Sequence, residues 1–154
     1  MAISEQQLQS DLLSAGIIRA VSLMSLIALV AICHIYSNNI QIGLDEQQRI
    51  IVRSILYVVV IMTFPVMKFV RHVLLRLNQT RSSEKSPKSR YMLTIVVSML
   101  VAESIGIYGF VMYILGDSYN TLYIFIMLSA LAMFLYKPNQ QEYKELVDSL
   151  EEKT

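Results

Sequence analysis

Glu103 is the residue in this chain with the greatest capacity for chemistry, because it is an acid at the centre of a long apolar run, 91–115. A charge at mid-bilayer costs about 3 kcal/mol on insertion-derived scales, so an acid there is expected to be neutral, paired or in use. Burial favours its uncharged form. Two roles follow. Either Glu103 takes up and releases a proton, as in a proton-coupled carrier or channel module, or it stays neutral and hydrogen-bonds to a neighbouring helix. Alternating the apolar runs across a bilayer places Ser25, Thr63 and Ser129 within about one turn of its depth, at ~1.5 Å per residue. These are hydroxyls, which suit a neutral hydrogen-bonded acid better than a relay of charges. Tyr57 reaches towards the same level, and His34 lies nearer the outer end of its run.

Other footholds for catalysis are missing from the sequence. It has no Gly-rich phosphate loop, no CxxC pair, no two histidines at helical spacing and no nucleophile elbow. His34 and His72 are expected at opposite faces of the membrane, so they do not suggest a shared metal or haem. No cofactor and no metal are expected, and the chain reads as a non-enzyme. The lone Cys33 reads as a small apolar residue on a helix.

Around Glu103 the run carries small residues at Ser98, Ala102, Gly106 and Gly109. Ser98–Ala102–Gly106 is a doubled small-xxx-small stripe, which lets two helix backbones approach closely within the bundle or between protomers. Glu103 lies about 100° round the helix from Ala102, so it borders that face, and close packing is expected to shield it from lipid. The segment Ala102–Gly109 (AESIGIYG) resembles the outer helix of rotary-ATPase proteolipids, which would imply an ion-carrying acid at Glu103. The likeness stops there. The acid stands in the first helix of its hairpin, no Gly-rich helix precedes it, and the joining turn is Gly116–Asp117–Ser118. We read it as convergent use of Glu with small residues.

The elements that position these residues follow from composition. Of 154 residues, 55% are hydrophobic and 16% charged, against about 25% charged in a typical soluble domain. The apolar residues gather at 20–36, 50–69, 91–115 and 119–136, each matching the ~17–25 residues needed to cross a bilayer as a helix. The expected fold is all-α: a polytopic integral membrane protein with four transmembrane helices in two hairpins and short amphipathic terminal helices. A soluble enzyme is excluded on this reading, as is a separate catalytic domain, because the remaining segments are too short for a core.

Basic residues set the orientation. Seven of the 13 Lys and Arg lie from Lys68, at the end of the second run, to Arg90, just before the third, and only Arg49 and Arg53 fall on the opposite side. Both termini and the central loop are therefore expected in the cytoplasm, with the protein in the inner membrane. Residues 1–18 lack a basic n-region, so the first run is expected to be an uncleaved anchor.

Residues 4–16 read as a surface helix entering the first run, with Gly16 at the joint, Gly43 as a turn and Asp45 as a helix cap. Residues 66–77 continue the second run as a basic amphipathic helix, in which Lys68, Arg71 and Arg76 are candidates to meet anionic lipid. Residues 78–90 read as a flexible basic linker. Residues 138–154 read as an acidic tail helix with Tyr143, Leu146, Val147 and Leu150 on one face, either docked on the basic side, solvated or bound to a partner. Pro65 frees the Ile61 carbonyl and marks a kink. The expected partners are the lipid bilayer, anionic lipid, and other membrane subunits or a second copy. The leading expectation is a non-catalytic subunit or helper packed through the small-residue stripe with a buried, neutral Glu103.

Overall fold

The computed structural model describes residues 4–80 and 86–152. Among them the chain is all-helical: α1 (Glu5–Ile35), a four-residue α2 (Ser37–Ile40), α3 (Glu46–Thr80), α4 (Pro87–Ile114), α5 (Tyr119–Leu135) and α6 (Gln140–Glu151). Local chemistry sets the ends. Ser4 caps α1 by accepting the Gln7 amide at 3.3 Å, with Glu5 in the first turn. Ser86 caps α4 in the same way, and Pro87 takes the first position, where a missing N–H costs nothing. Asn139 caps α6. Gly116, at φ +90°, makes the turn that folds α5 back on α4.

Three of these helices, α1, α3 and α4, are long and apolar enough to cross a membrane. The 17-residue α5 passes the same test only together with α6, across a bend of 46°. Helix α1 runs through Gly16 without a joint, so the expected surface helix and first span are one rod. Gly43 does not adopt a left-handed conformation. The linker is shorter than expected, since 78–80 belong to α3 and 87–90 to α4, while 81–85 lie outside the described residues.

Helix α4 is the centre of the molecule. Its apolar stretch is 44% buried, against 17% for α1 and 11% for α3. It packs most heavily on α5, then on α1 and α3 on either side. The third and fourth runs thus form the expected hairpin. The first pair is different: α1 and α3 each pack on α4 and share no comparable interface of their own. The interior is built from Ile95, Met99, Ala102, Ile105 and Met112 of α4, Phe125 and Met133 of α5, Leu26 of α1 and Val60 and Met67 of α3. Tyr57 of α3 stacks on Phe125, with ring centroids 4.9 Å apart and planes at 7°.

Large apolar side chains also cover the outside. Val21, Met24 and Ile27 of α1, Val58, Ile61 and Met62 of α3, and Met127 of α5 are each more than half exposed. A continuous belt of this kind far exceeds what a monomeric soluble protein presents to water.

The start of α1, the end of α3, the start of α4 and helix α6 share one end of the bundle, here the terminal end. At the opposite loop end, residues 42–44 lie along the close of α4, with the Ile42 amide donating to the Ile114 carbonyl at 2.6 Å. Arg49 donates to the Gly116 carbonyl at 2.9 Å, and Arg53 pairs with the nearly buried Asp117 at 3.2 Å.

The small residues of α4 differ in what a methyl group would meet. At Gly109 it would lie 2.6 Å from the Phe125 Cβ and 3.2 Å from the Leu122 carbonyl, neither of which can swing away. At Gly106 it would press on the far end of Leu26, which can rotate, and at Gly16 it meets nothing. Thermal unfolding in detergent should therefore rank Gly109→Ala as destabilising by about 1–3 kcal/mol, Gly106→Ala as milder, and Gly16→Ala as neutral or stabilising by about 0.5–1 kcal/mol.

Candidate functional site

Glu103 sits midway along α4 and is half-buried. Its helical neighbours at i−3 and i+4, Leu100 and Ile107, are 61% and 44% exposed, so it shares their outward-leaning face. Among the described residues its carboxyl makes no hydrogen bond and no ion pair. The expected hydroxyls are engaged elsewhere or stand apart. Ser129, fully buried, donates to the Ala102 carbonyl at 2.6 Å. Thr63 donates to the Val59 carbonyl of its own helix at 2.7 Å. Ser25 is half-buried on α1 and bonds neither Glu103 nor another described group. Enclosure of the acid within the bundle is therefore not what the packing produces, because the close contact lies on the adjacent face of α4.

That adjacent face is the small-residue stripe, and the chain itself consumes it. Ser98 receives Arg71, Ala102 receives Ser129, Gly106 meets Leu26 and Ser129, and Gly109 meets Phe125. All four are buried. The stripe seats α5, α1 and α3 against α4, so it is not available to a second protomer. Of the two uses the sequence left open for the stripe, packing within the bundle is the one these contacts show.

Arg19 lies between the buried Ala15 and Ser22 on the packed face of α1. Its Nε is buried without a hydrogen-bond partner, and its guanidinium lies 5.8 Å from the Phe134 ring centroid.

The lipid candidates divide. Lys68 and Arg76 are exposed, but Arg71 is only 6% exposed and turns inward. Its guanidinium donates to Ser98 Oγ (3.4 Å), the Tyr136 carbonyl (2.8 Å), the Lys137 carbonyl (3.4 Å) and Glu142 (2.6 Å). One planar fork thereby ties α3 to α4 and to the joint between α5 and α6. The placement corrects Arg71 as a lipid ligand, since its donors are spent within the protein. The arrangement also decides among the three readings of the tail: α6 docks on the basic side, burying Tyr143, Leu146 and Val147.

A second clamp holds α6 to the start of α1. Asp11, 8% exposed, accepts from Lys88 at 2.8 Å and from the Tyr143 hydroxyl at 2.6 Å. The Tyr91 hydroxyl donates to the Asn139 carbonyl at 3.1 Å and receives its amide at 2.8 Å. Asn78 and Arg90 exchange bonds across the ends of α3 and α4. At the loop end, His34 shares a 3.0 Å hydrogen bond with Tyr123, and Tyr113 donates to Tyr119 at 2.9 Å. Tyr119 donates in turn to the Cys33 carbonyl. The pattern is that of a belt tying α1 to the α4–α5 hairpin. Among the described residues no group of three His, Cys, Asp or Glu is placed to hold a metal. Comparison with protein-family models, curated proteins and solved structures gave no match.

Burial by itself raises the Asp11 carboxyl, but the hydrogen bonds from Lys88 and Tyr143 outweigh it and hold the group below the usual carboxylate range. Burial, and next the Asp11 carboxylate, push the Tyr143 phenol well above its ordinary value. A depressed acid stabilises docking above its undocked value and loses that as pH falls; a raised phenol stabilises it below its undocked value and loses that as pH rises. Docking of α6 should hold between about pH 4 and about pH 10 and weaken outside that window. Hydrogen exchange of the 140–151 amides should follow it, and Asp11→Asn should weaken docking at neutral pH by roughly 1.5–3 kcal/mol.

Proposed function

We propose that this chain is a small, non-catalytic integral membrane subunit with four spans and both termini in the cytoplasm. Through the Glu103 face of α4 it assembles with a second copy or another membrane protein. The observation that carries this reading is the unsatisfied carboxyl of Glu103, half-buried at mid-helix between the exposed Leu100 and Ile107. A polar group at that depth is costly unless it finds a donor. Since no described residue of this chain supplies one, a helix of another chain is the natural source, and interhelical hydrogen bonds of this kind stabilise membrane association.

The bilayer placement is supported by the three spanning-length helices, by α5, which reaches that test with α6, and by the apolar belt. The cytoplasmic assignment of the terminal end rests on the excess of Lys and Arg there. Arg49 and Arg53, the exceptions at the other end, are absorbed by Gly116 and Asp117. The inner membrane follows from the same reading.

The test compares wild type, Glu103→Gln and Glu103→Leu, purified in mild detergent and sized by native mass spectrometry. Glutamine keeps a neutral hydrogen-bonding group and should retain the assembly. Leucine should weaken it roughly 3- to 20-fold, the range expected for one interhelical hydrogen bond. A wild type that is monomeric and without companions, or a leucine variant that assembles as well as wild type, would overturn the proposal. Loss of the assembly in the glutamine variant as fully as in the leucine variant would instead mean that a neutral group does not suffice and that Glu103 acts ionised.

A further inference from the structure

We infer that the cleft between α3 and the α5–α6 bend binds the phosphate headgroup of an anionic phospholipid. This rests on the membrane placement proposed above but not on assembly through Glu103. The cleft encloses about 850 Å³ at the terminal end of the bundle. That is within the range of pockets that hold small ligands, about 300–1,000 Å³.

Its charged lining is unequal. Lys68, Arg71 and Lys137 stand against the single carboxylate of Glu142, a net charge of +2 with His72 neutral. Arg71 and Glu142 satisfy each other at 2.6 Å. What remains is Lys68 and Lys137, both exposed and neither paired with a carboxylate among the described residues. The Lys137 ammonium lies 5.3 Å from the Phe134 ring centroid. Two uncompensated ammonium groups, one on α3 and one in the α5–α6 joint, thus border one concavity, with the exposed His72 beside them.

The remaining walls favour a lipid over a free anion. Pro65, Phe69 and Leu135 line the same cleft, and Phe69 and Leu135 are 69% and 57% exposed. They lie at the margin of the apolar belt, where an acyl chain would continue out of the cleft along the surface of α3. The Arg71–Glu142 clamp makes the back wall, so the shape of the site depends on α6 being docked. Sequence periodicity had nominated Lys68, Arg71 and Arg76 as lipid ligands. The cleft keeps Lys68, takes Arg71 only as scaffold, omits Arg76 and adds Lys137 from the far side of the bend.

The experiment uses the full chain in nanodiscs of phosphatidylcholine with a minor fraction of phosphatidylglycerol, reading the lipid retained by native mass spectrometry. Wild type should retain phosphatidylglycerol selectively. Lys68→Gln with Lys137→Gln should lower retention on the order of 30-fold, from about one lysine's worth of anionic attraction at each position. Lys68→Gln alone should lower it partway, and Arg76→Gln should leave it unchanged. Equal loss with Arg76→Gln would mean diffuse attraction and overturn the site. Displacement of the lipid by millimolar inorganic phosphate would also overturn it, by assigning the cleft to a soluble anion. Alkaline carbonate extraction of the chain from native membranes reads the underlying placement separately. Release there refutes the membrane reading, whereas firm retention without lipid selectivity refutes only the site.

Discussion

Ser129 reaches the Ala102 carbonyl at 2.6 Å, and Phe125 meets Gly109 where a methyl group would not fit. This close approach of α4 and α5 is the constraint on which the other elements depend. With the pair drawn together, α4 presents Gly106 to Leu26 of α1 on one side and Ser98 to Arg71 of α3 on the other. The outer helices are therefore placed by a shared partner and not by each other. Apolar packing between helices in lipid gains little from hydrophobicity itself, so shape and a few buried hydrogen bonds must do the positioning. Ser129 supplies one such bond, using a carbonyl that already serves its own helix.

Charge organises the two ends by different means. At the terminal end, Arg71 collects partners from three segments and Asp11 from two, and both are nearly buried. At the loop end, the two arginines that run against the overall charge distribution bind the turn after α4. Arg71, Asp11, Arg49 and Arg53 are each matched by charged, hydroxyl or carbonyl partners, which is the condition for keeping an ion out of water. Glu103 has no such matching, and that contrast gives it its weight in the functional reading.

Much of the architecture was legible in the sequence. Run length gave the helices, Gly116–Asp117–Ser118 gave the hairpin, and the alternation of Tyr143, Leu146 and Val147 with acids gave the docked face of α6. The facing of the apolar helices was not legible. Where every side of a helix is apolar, core and lipid leave the same composition, so nothing in α1 or α3 announced that they would not touch. Arg71 was hidden for a related reason. Its spacing with Lys68 and Arg76 is that of a charged face, and only the return of the chain at Tyr136–Glu142 shows that one member points the other way. Glu103 was found by its type and depth, while its outward lean depends on which face of α4 the glycines claim.

The Asp11–Tyr143 bond joins residues 132 positions apart, and Arg53 finds Asp117 only 64 positions later. During synthesis each of these charges must wait for a partner not yet made. Arg53 stays uncompensated until the α4–α5 turn emerges, and the start of α1 is not fastened until the last helix is complete. The order in which the helices are made is thus not the order in which they settle. A chain halted before α6 would lack the Tyr143 hydroxyl on Asp11 and the Glu142 carboxylate on Arg71, leaving both nearly buried charges short of a partner.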